Sequence, residues 1–185
     1  MSLPVLVVVL FLLASHLPAL WTEPPRHDLL LKVENAPVRY APRLVRVEFF
    51  VDDDRLRARL HKLDPDRFER ALVAAPPPQQ LLLWSHDTGV VREIVPPVPT
   101  DLNVIDDGAE LPLAELASRR ISTSPVAPDG YEYAGPAGGG DGIFGLFFGG
   151  REQQLVVAKD GARVAVDLPA GAGYWNVQVL GWVIE

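Results

Sequence analysis

LVRVEFFVDDDRLRARLHKL, residues 44–63, contains a change of hydrophobic period on which the fold class turns. In its first half Val45, Val47, Phe49 and Val51 fall on one face, opposite Arg46 and Glu48, the period-two pattern of a half-buried strand. The second half reads differently. Leu56, Leu60 and Leu63 recur at i, i+4 and i+7, one face of a helix, and Asp52-Asp53-Asp54 supplies an N-cap with carboxylates at the positive helix end. A second short helix is expected from Asp64-Pro65, a cap followed by a proline that tolerates its missing N–H. Phe68, Leu72 and Ala75 form its apolar stripe, and Pro76-Pro77-Pro78 ends it.

Upstream, His27–Val33 (HDLLLKV) reads as another strand. Downstream, Asp-Gly pairs punctuate apolar runs, and such pairs accommodate the positive φ of tight hairpins. Three hairpins follow: Leu81–His86 with Val90–Val95, Leu102–Ile105 with Ala109–Leu113, and Leu155–Ala158 with Ala162–Leu168. Tyr174–Ile184 is a long final strand, with Trp175, Val177, Val179 and Val183 on one face and Tyr174, Leu180, Trp182 and Ile184 on the other. Leu113–Arg120 fits a helical turn and a continued strand equally. The expected class is α+β: mainly antiparallel sheet, hairpin-rich in its C-terminal part, with two short helices inserted early and an N-terminal apolar helix before them.

That apolar helix is Leu3–Leu20 (LPVLVVVLFLLASHLPAL). It is uncharged, and the first charged side chain of the chain is Glu23. Eighteen residues reach the lower limit for spanning a hydrocarbon core. The segment has no basic residue before it and no A-x-A cleavage site after it, which favours an uncleaved anchor over a cleaved signal. Trp21 would sit at interfacial depth. The organisation expected is therefore an anchor or signal over 1–22, a proline-rich spacer over 23–26 and one α+β domain over 27–185. Basic Arg26 and Lys32 follow the segment, which by the positive-inside rule points to a cytoplasmic domain. The likeness to a signal's apolar core points to export, and export is the reading taken.

The chain has 185 residues with 17 basic and 24 acidic side chains, a net charge of -7, and no cysteine. Disulfides, thiolate metal sites and cysteine nucleophiles are thereby excluded. The acidic balance argues against a nucleic-acid partner. Much of the acidity is structural, since five aspartates belong to turn signals.

Ser85-His86-Asp87 contains the residue types of a hydrolase triad, but neighbours on a strand point to opposite faces, so adjacency alone does not make one. Asp101, Asn103, Asp106, Asp107 and Glu110 miss the calcium-loop spacing and read as solvated turn acids. Gly140–Gly145 matches G-x-G-x-x-G without the flanking strand and helix that give that motif meaning. Arg55, Arg57, Arg59, Lys62, Arg67 and Arg70 read as solvated charges spread around the two helices. No cofactor and no small-molecule ligand are indicated.

The most distinctive segment is glycine-rich: nine of the 15 glycines lie in residues 130–150, around Ile143–Phe148. Phe144, Phe147 and Phe148 are the candidate binding residues, as an apolar loop, against the alternative of a central strand. The function expected is a non-enzymatic, membrane-anchored or exported domain that binds or scaffolds other envelope proteins. A hydrolase-type enzyme using His86 and Asp87 is the alternative.

Overall fold

The computed structural model describes residues 7, 21–35, 44–63, 76–101, 104, 106–134, 155–170, 172 and 176–184. They form eleven strands: β1 (Asp28–Glu34), β2 (Val45–Asp52), β3 (Arg55–Lys62), β4 (Gln79–Trp84), β5 (Val91–Ile94), β6 (Glu110–Leu111), β7 (Arg120–Ser122), β8 (Glu132–Ala134), β9 (Leu155–Lys159), β10 (Ala162–Val166) and β11 (Val177–Ile184). All pairings are antiparallel, and no helical element forms among the described residues. The α+β expectation is therefore corrected to antiparallel β. The second expected helix, 64–75, and the N-terminal apolar segment, 3–20 apart from Val7, lie outside the described residues.

The first expected helix is a strand. Residues 44–63 form a hairpin in which Asp52 pairs with Arg55 and Val45 with Lys62. Asp53 and Asp54 are its two-residue turn, at φ 48° and 58°. Two successive left-handed residues match the twist of the flanking strands, and aspartate tolerates that region through local hydrogen bonding. The misreading has a simple origin. Leu56 and Leu60 are four apart, a spacing common to both periods, and Ala58 between them distinguishes the two. Ala58 is fully buried with both leucines, so the period is two.

Eight strands complete two further sheets. The five-stranded sheet A has order β5-β4-β1-β11-β7, sheet B is β2-β3-β6, and sheet C is β10-β9-β8. One core joins A to B through Leu30, Leu81, Leu83 and Val183 against Val47, Phe49, Leu56 and Leu60. The other joins A to C through Leu29, Leu31, Leu82, Trp84 and Trp182 against Leu155, Val157 and Val166. Sheet A is thus the middle of three layers. This accounts for the unbroken apolar runs Leu29–Leu31 and Leu81–Trp84, because a strand covered on both faces needs no polar alternation. On the second face Leu29 pairs with Trp84 on one side and Trp182 on the other. Both indole N–H groups are buried without a partner.

Two hairpins form as the Asp-Gly signals predict: β4–β5, with Leu81 opposite Ile94, and β9–β10, turning at Asp160-Gly161. Of the middle one, Leu102, Asn103 and Ile105 lie outside the described residues, and its second arm supplies β6. β6 lies against β3, Ala58 opposite Leu111, and Gly108 N–H donates to the Leu60 carbonyl at 2.8 Å. The face assignment of the last strand also changes. A bulge shifts the β1–β11 register between Leu30 and Leu31, so that Leu30 faces Gly181 and Leu31 faces Val179. Leu180 is the extra residue. Past the bulge, Trp182 joins Val177 and Val179 in the second core, and Val183 moves to the first with Leu180.

Candidate functional site

The segment after the apolar N-terminus is held by two side chains of a single turn, Asp129 and Tyr131. Pro25 is buried. The Glu23 carbonyl accepts a 2.8 Å hydrogen bond from the Tyr131 hydroxyl, and Arg26 N–H donates to Asp129 Oδ2 at 2.7 Å. Asp129 is fixed in turn: its carbonyl accepts from Lys159 Nζ at 2.6 Å, and that ammonium lies 5.8 Å from the Tyr131 ring centre. An open groove of about 580 Å³ runs between Trp21, Thr22 and Glu23 on one wall and Lys159 and Asp160 on the other. Trp21 is 83% exposed at its rim. The expected spacer, 23–26, is thus a strap laid along the β-domain and anchored to it.

Tyr131 is the centre of this clamp. Burial, with the Asp129 and Asp160 carboxylates adding to it, pushes its phenol above the ordinary value of 10.0. A raised folded-state value means the folded protein holds its proton longer than the unfolded chain does. The corresponding stability is complete below pH 10 or so and is lost as pH rises through the folded value. Tyr131→Phe is expected to lower stability near neutrality by about 1 kcal/mol, through loss of the Glu23 bond. Above about pH 10 the wild type should decline more steeply, so that the two converge; urea unfolding midpoints across pH 7–11 test this.

His86 lies on the turn between β4 and β5. Its backbone N–H donates to Asp28 Oδ1 at 3.0 Å, its Nδ1 is 2.7 Å from the same oxygen, and its Nε2 is 3.1 Å from Asp87 Oδ1. Each ring nitrogen therefore meets a carboxylate, and among the described residues no hydroxyl joins them. What the geometry provides is a pin that fastens the β4–β5 turn to the start of β1. Asp28→Ala is expected to cost about 1–2 kcal/mol, since one carboxylate serves two donors. His86→Ala should cost a similar amount, and the double variant little more than either, by chemical denaturation.

The arginines of β3 occupy one strand face instead of encircling a helix. Arg57 Nε lies 3.1 Å from Asp52 and its Nη1 3.0 Å from Glu110; His61 Nε2 meets Glu48 at 3.0 Å; and Arg59 stacks over Phe50 at 4.9 Å. Such partly exposed pairs contribute about 0.2–1 kcal/mol each, enough to favour this cross-strand register without building a site. Arg67 and Arg70 lie outside the described residues.

Asp107 accepts from the Lys62 backbone N–H at 2.9 Å, a turn role. Among the described residues no group of three or more histidines or carboxylates is arranged to hold a metal ion. Phe144, Phe147 and Phe148, and the Gly140–Gly145 motif, lie outside the described residues. Among the described residues no helix is long and apolar enough to cross a membrane.

Sequence reasoning missed Tyr131, Asp129 and Lys159 as a unit. Asp129-Gly130 and Asp160-Gly161 were legible as turns, but a turn signal says nothing of what the aspartate's neighbours grip. Comparison with protein-family models, with characterised proteins and with solved structures finds no match to this chain.

Proposed function

We propose that this protein is a membrane-anchored or exported β-domain that binds or scaffolds other proteins of the cell envelope. The observation that carries the reading is the uncharged Leu3–Leu20 segment, followed at once by a strap fastened to the domain at Glu23 and Arg26. A strap with its own hydrogen bonds suits a chain whose preceding segment is held elsewhere. The partner-binding element in this reading is the sequence run Ile143–Phe148, with Phe144, Phe147 and Phe148 as contacts. Three aromatic side chains amid glycines combine apolar area with little backbone bulk.

A reporter fused after Glu185 and active only outside the cytoplasm tests the location. Activity together with recovery in the membrane fraction is the expected result. An inactive reporter on a stably produced fusion would remove the envelope reading. The triple variant Phe144→Ser, Phe147→Ser, Phe148→Ser tests the contact: partner capture should be lost while the unfolding midpoint is unchanged. Unfolding of the triple variant would instead mark these residues as core.

A further inference from the structure

We infer that the end of the domain formed by the β9–β10 tip and the turn at Pro128–Gly130 faces the lipid surface, with the strap fixing that orientation. The inference deepens the membrane-anchored reading and rests on it. Its basis is the geometry of residues 21–28. The uncharged apolar run of the sequence ends at Leu20, and the next residue, Trp21, stands 83% exposed at the rim of the groove. Across that groove lie Lys159 and Asp160.

A flexible spacer would let the domain tumble beneath its anchor. Here Tyr131 holds the Glu23 carbonyl at 2.8 Å and Asp129 holds the Arg26 N–H at 2.7 Å, with Pro25 buried between them. Two bonds on either side of a buried proline fix the direction in which the chain leaves. An exposed tryptophan at that exit is the side chain whose amphipathic ring favours the headgroup level. From the strap the chain enters β1, which extends from Asp28 to Glu34, about 20 Å at 3.4 Å per residue. Asn35 therefore follows the end of β1 that is farther from the strap. The occupant of this face is the bilayer itself, and the groove beside Trp21 is where headgroups would meet Lys159 and Asp160.

The chain has no cysteine, so single-cysteine labelling of the full-length protein is clean. Arg163→Cys places a donor dye beside the β9–β10 tip, and Asn35→Cys places one at the end of β1 away from the strap. Each labelled protein is mixed with phosphatidylcholine–phosphatidylglycerol vesicles containing a headgroup-linked acceptor, and vesicle flotation is scored in parallel. Co-flotation with several-fold stronger energy transfer from position 163 than from position 35 is expected. In the background Asp129→Ala, Tyr131→Phe, flotation should persist while the difference shrinks, because the strap is released but the anchor is not. Co-flotation with equal transfer from both positions, or stronger transfer from 35, would overturn the orientation and leave the membrane reading standing. Absence of co-flotation would overturn both.

Discussion

Gly181→Ala is expected to destabilise the protein by about 3 kcal/mol, the upper end of the usual cost of overpacking, and to lower its melting temperature by about 10 °C. Gly181 sits at the β11 bulge with φ 153°. A Cβ there would lie 2.4 Å from the Ser122 carbonyl oxygen and 2.8 Å from Ile121 Cγ2. The first neighbour is backbone and the second a fully buried side chain, so neither can give way locally. The clash falls where β11 pairs with β7, Trp182 opposite Ser122 and Val183 opposite Ile121. Relief requires that strand pair to part. Gly161 is the matched control: its φ is 85°, but an added Cβ meets nothing within 4 Å. Gly161→Ala should therefore carry only the left-handed backbone penalty, about 1–2 kcal/mol. Thermal unfolding followed by circular dichroism ranks the two. Equal losses would mean that backbone conformation, not contact with β7, is what position 181 requires.

The same glycine shows where the sequence was legible and where it was not. Period-two alternation identified β11 as a strand, and Asp-Gly pairs identified the turns of β4–β5 and β9–β10. Those are local signals, complete within ten residues. A bulge is different. It arises because Leu31 must face Val179 while Leu30 faces Gly181, and that constraint comes from a strand nearly 150 residues away in the chain. No alternation count within 174–184 could reveal that Trp182 and Val183 exchange faces.

Residues 44–63 failed for another reason. Leu56 and Leu60 satisfy both helical and strand spacing, and the aspartates before them satisfy both an N-cap and a left-handed turn. Two ambiguous signals agreed on the wrong answer. Ala58 and the alternation of Arg55, Arg57 and Arg59 held the resolving information. Alanine carries little weight as an apolar marker, although here it is as buried as any leucine.

The clamp on the strap was invisible for a third reason: it is built from residues about 100 positions apart, each ordinary in its own setting. Asp129 reads only as a turn residue, and nothing in its neighbourhood marks Tyr131. Only the fold brings their polar atoms to the Glu23 carbonyl and the Arg26 N–H.

The three-layer arrangement yields the second large effect. Leu30 and Leu31 are adjacent on β1, both fully buried, and belong to different cores. In a two-layer sheet one of any adjacent pair faces solvent, and its truncation is nearly silent. Here Leu30→Ala opens a cavity toward Phe49 and Leu60 on sheet B, and Leu31→Ala opens one toward Leu155 and Val157 on sheet C. Each is expected to cost about 2–5 kcal/mol, the range for leucines whose surroundings relax only in part. Because the two cavities lie on opposite sides of a strand and share no core, the losses should be close to additive. The double variant then loses an amount comparable to the whole stability of a domain this size, roughly 5–15 kcal/mol, and should be largely unfolded at 25 °C. Arg163→Ala, on an exposed strand position, should change stability by no more than about 0.5 kcal/mol. Equilibrium urea unfolding of the single variants decides the matter: a loss below about 1 kcal/mol at either leucine would mean that sheet A is closed on one face only.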